Sequence, residues 1–176
     1  MLTRRFTRVD LTNANEEYLL KVGEEAYISF NNVTSLPLNI KTVNDSLYEA
    51  YLIPTNPGTL SGTNIRVKLL PNNTEYTNQI VFTYIFCVNN LFSSTYATSS
   101  HFYIGAGYAN INMWIVNRKQ YKNIRCINDS YGYSAYFPAI LEISNVWRDT
   151  TTNWSSIGTI VFPMSTSGEI IVRRLM

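Results

Sequence analysis

Apolar residues alternate with polar ones in short runs from one end of the chain to the other. Ala26, Ile28 and Phe30 share one side of a run whose other side is Tyr27, Ser29 and Asn31. Leu36, Leu38 and Ile40 alternate with Pro37, Asn39 and Lys41, and Ile65, Val67 and Leu69 alternate with Arg66 and Lys68. Successive side chains on a strand point to opposite faces, so this period of two predicts strands with one buried and one wet side. Clusters rich in Asn, Ser, Pro and Gly, such as Thr55 to Gly58, Pro71 to Asn73 and Asn128 to Ser130, punctuate the runs. Between them strands are predicted near 5–11, 25–33, 36–42, 47–53, 64–70, 79–88, 100–105, 111–117, 122–127, 139–146, 157–162 and 169–175. The last two flank Pro163 to Gly168 and read as a hairpin with a loop longer than the tightest turns. The one helix candidate is Asn13 to Lys21, with Asn13 as cap and Glu16 and Glu17 near its positive end; a loop fits it equally well.

The pattern predicts an all-β chain: an antiparallel two-sheet β-sandwich, jelly-roll or immunoglobulin-like, with little helix, in one domain spanning residues 1–176. A hydrophobic fraction of 45% supports a sizeable core, whereas charged residues are only 15%, below the roughly 25% usual in soluble domains. Asn, Thr and Ser carry the polar surface instead. A surface of neutral amides and hydroxyls suits flat protein contacts and points towards life in an assembly.

The net charge of +2 gives no broad basic field. Arg118, Lys119, Lys122 and Arg125 form the one basic group dense enough to test for nucleic-acid binding, and a solvated or interfacial loop is the reading favoured for it. No run is apolar for long enough to span a membrane, and Met1 to Arg5 is basic with no apolar stretch behind it, so no secretory leader is expected. With no leader, Cys87 and Cys126 read more plainly as two buried thiols than as a disulfide between sheets. Asn-x-Ser/Thr triplets at Asn32, Asn44, Asn72, Asn128 and Asn153 are what chance supplies in a chain of this composition.

Catalytic chemistry finds few of its usual parts. The single His, His101, has no acidic neighbour in sequence, and one His with two distant Cys cannot make an ordinary zinc set. Glu49 and Glu142 stand within apolar strands, but a carboxylate on the wet face explains each without a glycosidase pair. Gly105-Ala106-Gly107 leads towards a strand and reads as a bend or bulge. The expectation is a chain with no enzyme activity of its own and no cofactor or metal.

Aromatic residues offer contact chemistry. Tyr131, Tyr133 and Tyr136 cluster, and Trp147 and Trp154 flank the segment Arg148 to Asn153. Such rings serve sugar platforms and protein interfaces alike. For the two Trp residues, packing over the core combined with a subunit contact is favoured over a sugar platform.

The closing segments Trp154 to Pro163 and Ser167 to Leu175, and the opening segments Phe6 to Thr12 and Ala26 to Phe30, resemble small β-rich accessory virion proteins of tailed bacteriophages. The likeness covers both ends and lies in general character, with no diagnostic motif. It implies a capsid decoration, tail-associated or fibre-associated subunit, assembled in the host cytoplasm and resident in the virion. Its implied partners are other virion proteins and further copies of itself, with a host-surface glycan as an added partner, and no nucleic acid. The alternative class is a carbohydrate-binding sandwich used in adhesion. In the assembly reading Arg4, Arg5 and Arg8, with Arg173 and Arg174, are the candidate interface, pairing with carboxylates across a subunit boundary.

Overall fold

The computed structural model describes residues 5–55, 66–75, 80–88, 91–99, 102–106, 110–130, 139–147 and 150–176. Most of this is strand: β1 (Thr7–Asp10), β2 (Glu24–Pro37), β3 (Ser46–Pro54), β4 (Arg66–Leu70), β5 (Ile80–Val88), β6 (Leu91–Ser99), β7 (Phe102–Ala106), β8 (Asn110–Arg118), β9 (Tyr121–Ser130), β10 (Ala139–Trp147) and β11 (Thr159–Arg174). Among the described residues no α-helix forms, and one 3-10 turn covers Pro71–Asn73. Asn13 to Lys21 is irregular. Tyr18 there makes an isolated bridge with Ile40 while Leu20 is buried, and an extended path satisfies both.

All eleven strands are connected by hydrogen bonds, in the order β1-β2-β11-β3-β8-β9-β10-β5-β6, with β4 and β7 branching from β11. Every pairing is antiparallel except β1 with β2, so the sheet is mixed. The branch exists because β11 is long. Its first residues, Thr159 to Val161, pair with β2 on one side and β4 on the other. From Gly168 onward β2 stays alongside, but β3 replaces β4.

The expected hairpin over Pro163 to Gly168 is therefore corrected. This stretch continues as strand, and register shifts between Val161 and Thr166 and between Thr166 and Gly168 absorb the irregularity as a bulge. Residues 157–162 and 169–175 are two halves of one strand that share a neighbour, so they do not turn back on each other. Gly168 lies where β11 passes closest to β3: a Cβ there would run into the backbone of Ile53 and Pro54. Gly158, just before β11, has φ +93° and lies against the Leu70 carbonyl, a place only glycine fits. The predicted strand 36–42 likewise splits, with β2 ending at Pro37 and only single bridges at Ile40 and Lys41. β6 was not predicted at all, because Leu91 to Ser99 has no apolar alternation.

Burial confirms the period of two. β3 and β8 alternate strictly between buried and half-buried positions, with Tyr48, Ala50 and Leu52 of β3 and Ile111, Met113 and Ile115 of β8 on the core side. β7 lies near β9 and β10 without pairing with them, and Asn145 of β10 ties it there. Its Nδ2 donates to the Tyr103 carbonyl at 2.8 Å and its Oδ1 accepts the Tyr103 N–H at 3.2 Å. One side-chain amide thus does for β7 what a neighbouring strand would do.

Candidate interaction surface

The face of the sheet turned away from the core carries the residues in question, and the strand register orders them into rows. One row runs Arg8 (β1), Glu25 (β2), Arg173 (β11), Glu49 (β3), Trp114 (β8), Arg125 (β9) and Ser144 (β10). Its first four members alternate in charge. Arg8 donates from Nε to Glu25 Oε1 at 2.8 Å, and Arg173 donates from Nε to Glu25 Oε2 at 2.9 Å. The Arg173 Nη1 lies 3.8 Å from Glu49 Oε2. The Arg173 guanidinium also sits 5.1 Å from the Phe6 ring centre and 5.2 Å from that of Tyr51, a cation against two π faces.

Glu25 is the hub, with its side chain only 8% exposed. Burial alone would push its carboxyl up, but the hydrogen bonds and charges of Arg173 and Arg8 outweigh burial and hold it below the usual carboxylate range. Burial acts on Arg173 in the opposite sense, and Glu25 again prevails by favouring the charged form. Next to this row, the Tyr27 hydroxyl donates to Glu169 Oε2 at 3.0 Å, which holds its proton above the ordinary phenol range.

These contacts decide the fate of the terminal arginines. Arg8 and Arg173 are joined to each other through Glu25 inside one chain. Arg174 donates to the Leu20 carbonyl at 2.8 Å and the Met176 carbonyl at 3.2 Å. Arg5 is exposed, and Arg4 lies outside the described residues. Of the five arginines expected at an interface, the structure gathers Arg8 and Arg173 around Glu25 in a clamp between the first strand and the last. Their partners were legible only in part: Glu25 shares a strand face with Tyr27, but nothing in the linear chain places it between two arginines.

The aromatic candidates divide. Trp147 is 3% exposed and Trp154 fully buried. Phe102 stacks on Trp154 with ring centres 5.7 Å apart, and Trp147 meets both rings edge-on. The two indoles do come together, but inside the core, so they offer no surface platform to a sugar. The reason is position: Trp147 falls on the inward side of β10 with Ile143 and Asn145. Tyr131, Tyr133 and Tyr136 lie outside the described residues, as does His101.

Charge groups proposed from sequence also separate. Lys122 is 2% exposed on the core side, with Nζ 5.5 Å from the centre of the Trp147 ring. Arg125 faces outward and pairs with Glu142 at 2.8 Å. The central basic group is thus divided between two faces. Glu49 and Glu142 share the outer face but stand on β3 and β10, with β8 and β9 between them. Three strand spacings make roughly 14 Å, too far for two carboxylates to work on one glycosidic bond. Cys126 is a free, buried thiol that burial pushes up strongly in pKa. It pairs in register with Ile143 of β10, and Cys87 pairs with Ile140 on the far side of the same strand. Two strand spacings, roughly 9 Å or more, exceed the reach of a disulfide.

The outer face has one further property. Leu47, Ile53, Trp114, Val116, Ile127 and Ile171 are half-buried on it, side by side with the ion pairs. A sheet face built of aliphatic and aromatic side chains between locked charges is chemically suited to a broad, flat protein contact. Among the described residues no group of His, Cys, Asp and Glu could hold a metal ion, and no helix is long and apolar enough to cross a membrane. No protein family, curated protein or solved structure matches this chain.

Proposed function

We propose that this chain is a non-enzymatic structural subunit of a tailed-bacteriophage virion, a decoration, tail or fibre-associated part that works through protein–protein contacts. The observation that carries the reading is the outer sheet face, where Trp114, Ile171, Ile53 and Leu47 lie half-buried among ion pairs already satisfied within the chain. Such a face gains by being covered, because apolar area leaves water at roughly 25 cal/mol per Å² and no charge has to be stripped of its partner. The low charge and the general likeness of both chain ends to virion accessory proteins support the same reading. As to finer architecture, we take β7, laid near β9 and β10, together with its partner β4 as the start of the second layer of a sandwich.

The carbohydrate-binding alternative loses the indole platform, since both Trp side chains are used in the core. The test is where the protein resides. Virions purified from the infected source culture and washed in high salt should retain the chain at a fixed ratio to the major shell or tail proteins. Its absence from such particles would overturn the proposal, as would glycan or peptide turnover by the pure protein that one acidic substitution abolishes.

A further inference from the structure

Among the described residues four large apolar side chains are exposed: Leu19 at 42%, Val22 at 52%, Tyr121 at 47% and Met176 at 44%. Scattered singly, such residues carry no meaning, but all four stand at one end of the sheet. There β2 begins, β11 ends, β3 begins and the β8–β9 hairpin turns, as the register of these strands shows. Hydrogen bonds hold each tip in place. The Glu24 N–H closes the turn Lys21 to Glu24 on the Lys21 carbonyl at 3.0 Å, with Gly23 at φ +90°. The Glu24 carboxylate accepts the Lys21 N–H at 2.8 Å, and Arg174 reaches the Leu20 carbonyl. After β11 the chain is tied to β3: the Leu175 N–H donates to the Leu47 carbonyl at 2.9 Å, and the Leu47 N–H to the Met176 carbonyl at 3.3 Å. At the β8–β9 turn the buried Lys122 ammonium donates to the Lys119 carbonyl at 3.4 Å.

We infer that this end of the sheet docks on an anionic lipid surface. The charges decide the occupant. Lys21 lies between Leu19 and Val22, and Arg118 and Lys119 precede Tyr121. Arg5 leads into β1, whose Thr7 N–H reaches the Gly23 carbonyl at 3.0 Å. All four cations are exposed, and among the described residues none of them is in an ion pair. Asp45 is an exposed acid at the same end, and Glu16 and Glu17 are exposed ahead of Tyr18, but the apolar tips themselves are flanked by cations. An apolar tip beside a cation matches a bilayer, whose acyl chains lie just beneath negative headgroups. β2 and β9 are four strand spacings apart, roughly 19 Å, so Val22 and Tyr121 do not share one patch that a protein pocket could enclose. A planar surface meets both at once. The tips are already ordered, so docking costs little conformational freedom. The inference does not depend on the virion reading above, because vesicle binding is read on pure protein and virion residence on particles.

Flotation of the full chain with lipid vesicles tests this. Vesicles of phosphatidylcholine with about one-third phosphatidylglycerol should carry the protein upward, and vesicles of phosphatidylcholine alone should not. The double variant Val22→Ser with Tyr121→Ser should lower the partition constant at least about tenfold, as should Lys21→Gln with Lys119→Gln. Arg125→Gln, which removes a cation from the outer face, should stay within about twofold of the parent. Far-UV circular dichroism matching the parent protein guards against a folding defect. A parent protein that does not float with the anionic vesicles overturns the inference, as does equal flotation with both vesicle types. Tip variants that float like the parent overturn it equally, and so does a loss in Arg125→Gln as large as theirs. Retention of the parent on immobilised poly-glutamate, with no vesicle binding, would overturn it in favour of an acidic protein surface.

Discussion

At the residue scale, Glu25 shows how one carboxylate can join the two ends of a chain. Arg8 and Arg173 are separated by almost the whole sequence, and each donates to a different oxygen of Glu25. Replacing Glu25 with Gln leaves two guanidinium groups facing each other across a half-buried row. Arg8 is half-exposed and screened, so the cost should be modest, about 1–3 kcal/mol near neutral pH, read as a lower urea midpoint. The sign with pH follows from the depressed carboxyl. Its ordinary value is 4.5, and the native value lies below that. Its stabilisation is fully present above pH 4.5 and is lost as pH falls through the native value. The gap between parent and Glu25→Gln should therefore narrow on acidification below pH 4.5; a gap that widens there would refute the assignment.

At the element scale, polar side chains take over where strand pairing stops. Asn145 grips both backbone groups of Tyr103 and also reaches the Ile124 carbonyl at 3.2 Å. Asn72, at φ +53°, accepts from the Ser155 and Ser156 N–H groups at 2.9 and 3.0 Å and so fixes the corner that leads into β11. Asn145→Leu keeps the volume but removes the grip on β7, leaving backbone groups to find other partners. It should cost about 2–4 kcal/mol, and hydrogen exchange should quicken in β7 more than in β3. Equal quickening in both would mean that Asn145 supports the fold as a whole and does not specifically hold β7. The signal for Asn145 was present in the sequence as an amide on the apolar side of a strand, between Ile143 and Trp147, where a polar group persists only if its hydrogen bonds are met. The signal for Asn72 was not, because its partners lie more than eighty residues away.

At the scale of the whole molecule, the core is continuous from Leu11 through Trp154 to Val172, with Cys126 inside it at 0% exposure. With Cys87 replaced by Ser, the remaining thiol becomes a reporter of global opening. It should stay unreactive towards a thiol reagent in native buffer and react in urea along the same transition as circular dichroism. Labelling in native buffer at the rate of an unfolded peptide would contradict the buried placement. The sequence alone determined that the chain is nearly all β and which side of most strands faces inward, because a period of two is a local property of the backbone. It also limited the chemistry on offer, because residue types are countable. Tertiary structure decided the rest. The apparent hairpin at 163–168 became one long strand because β2 runs beside both halves. The two Trp residues became core because β10 turns Trp147 inward and Phe102 covers Trp154. Arg8 and Arg173 share one carboxylate because β1 and β11 flank the same strand. Each outcome depends on which distant strand lies alongside, and that is set by the total apolar area the sheet can bury, a quantity no short window of sequence contains.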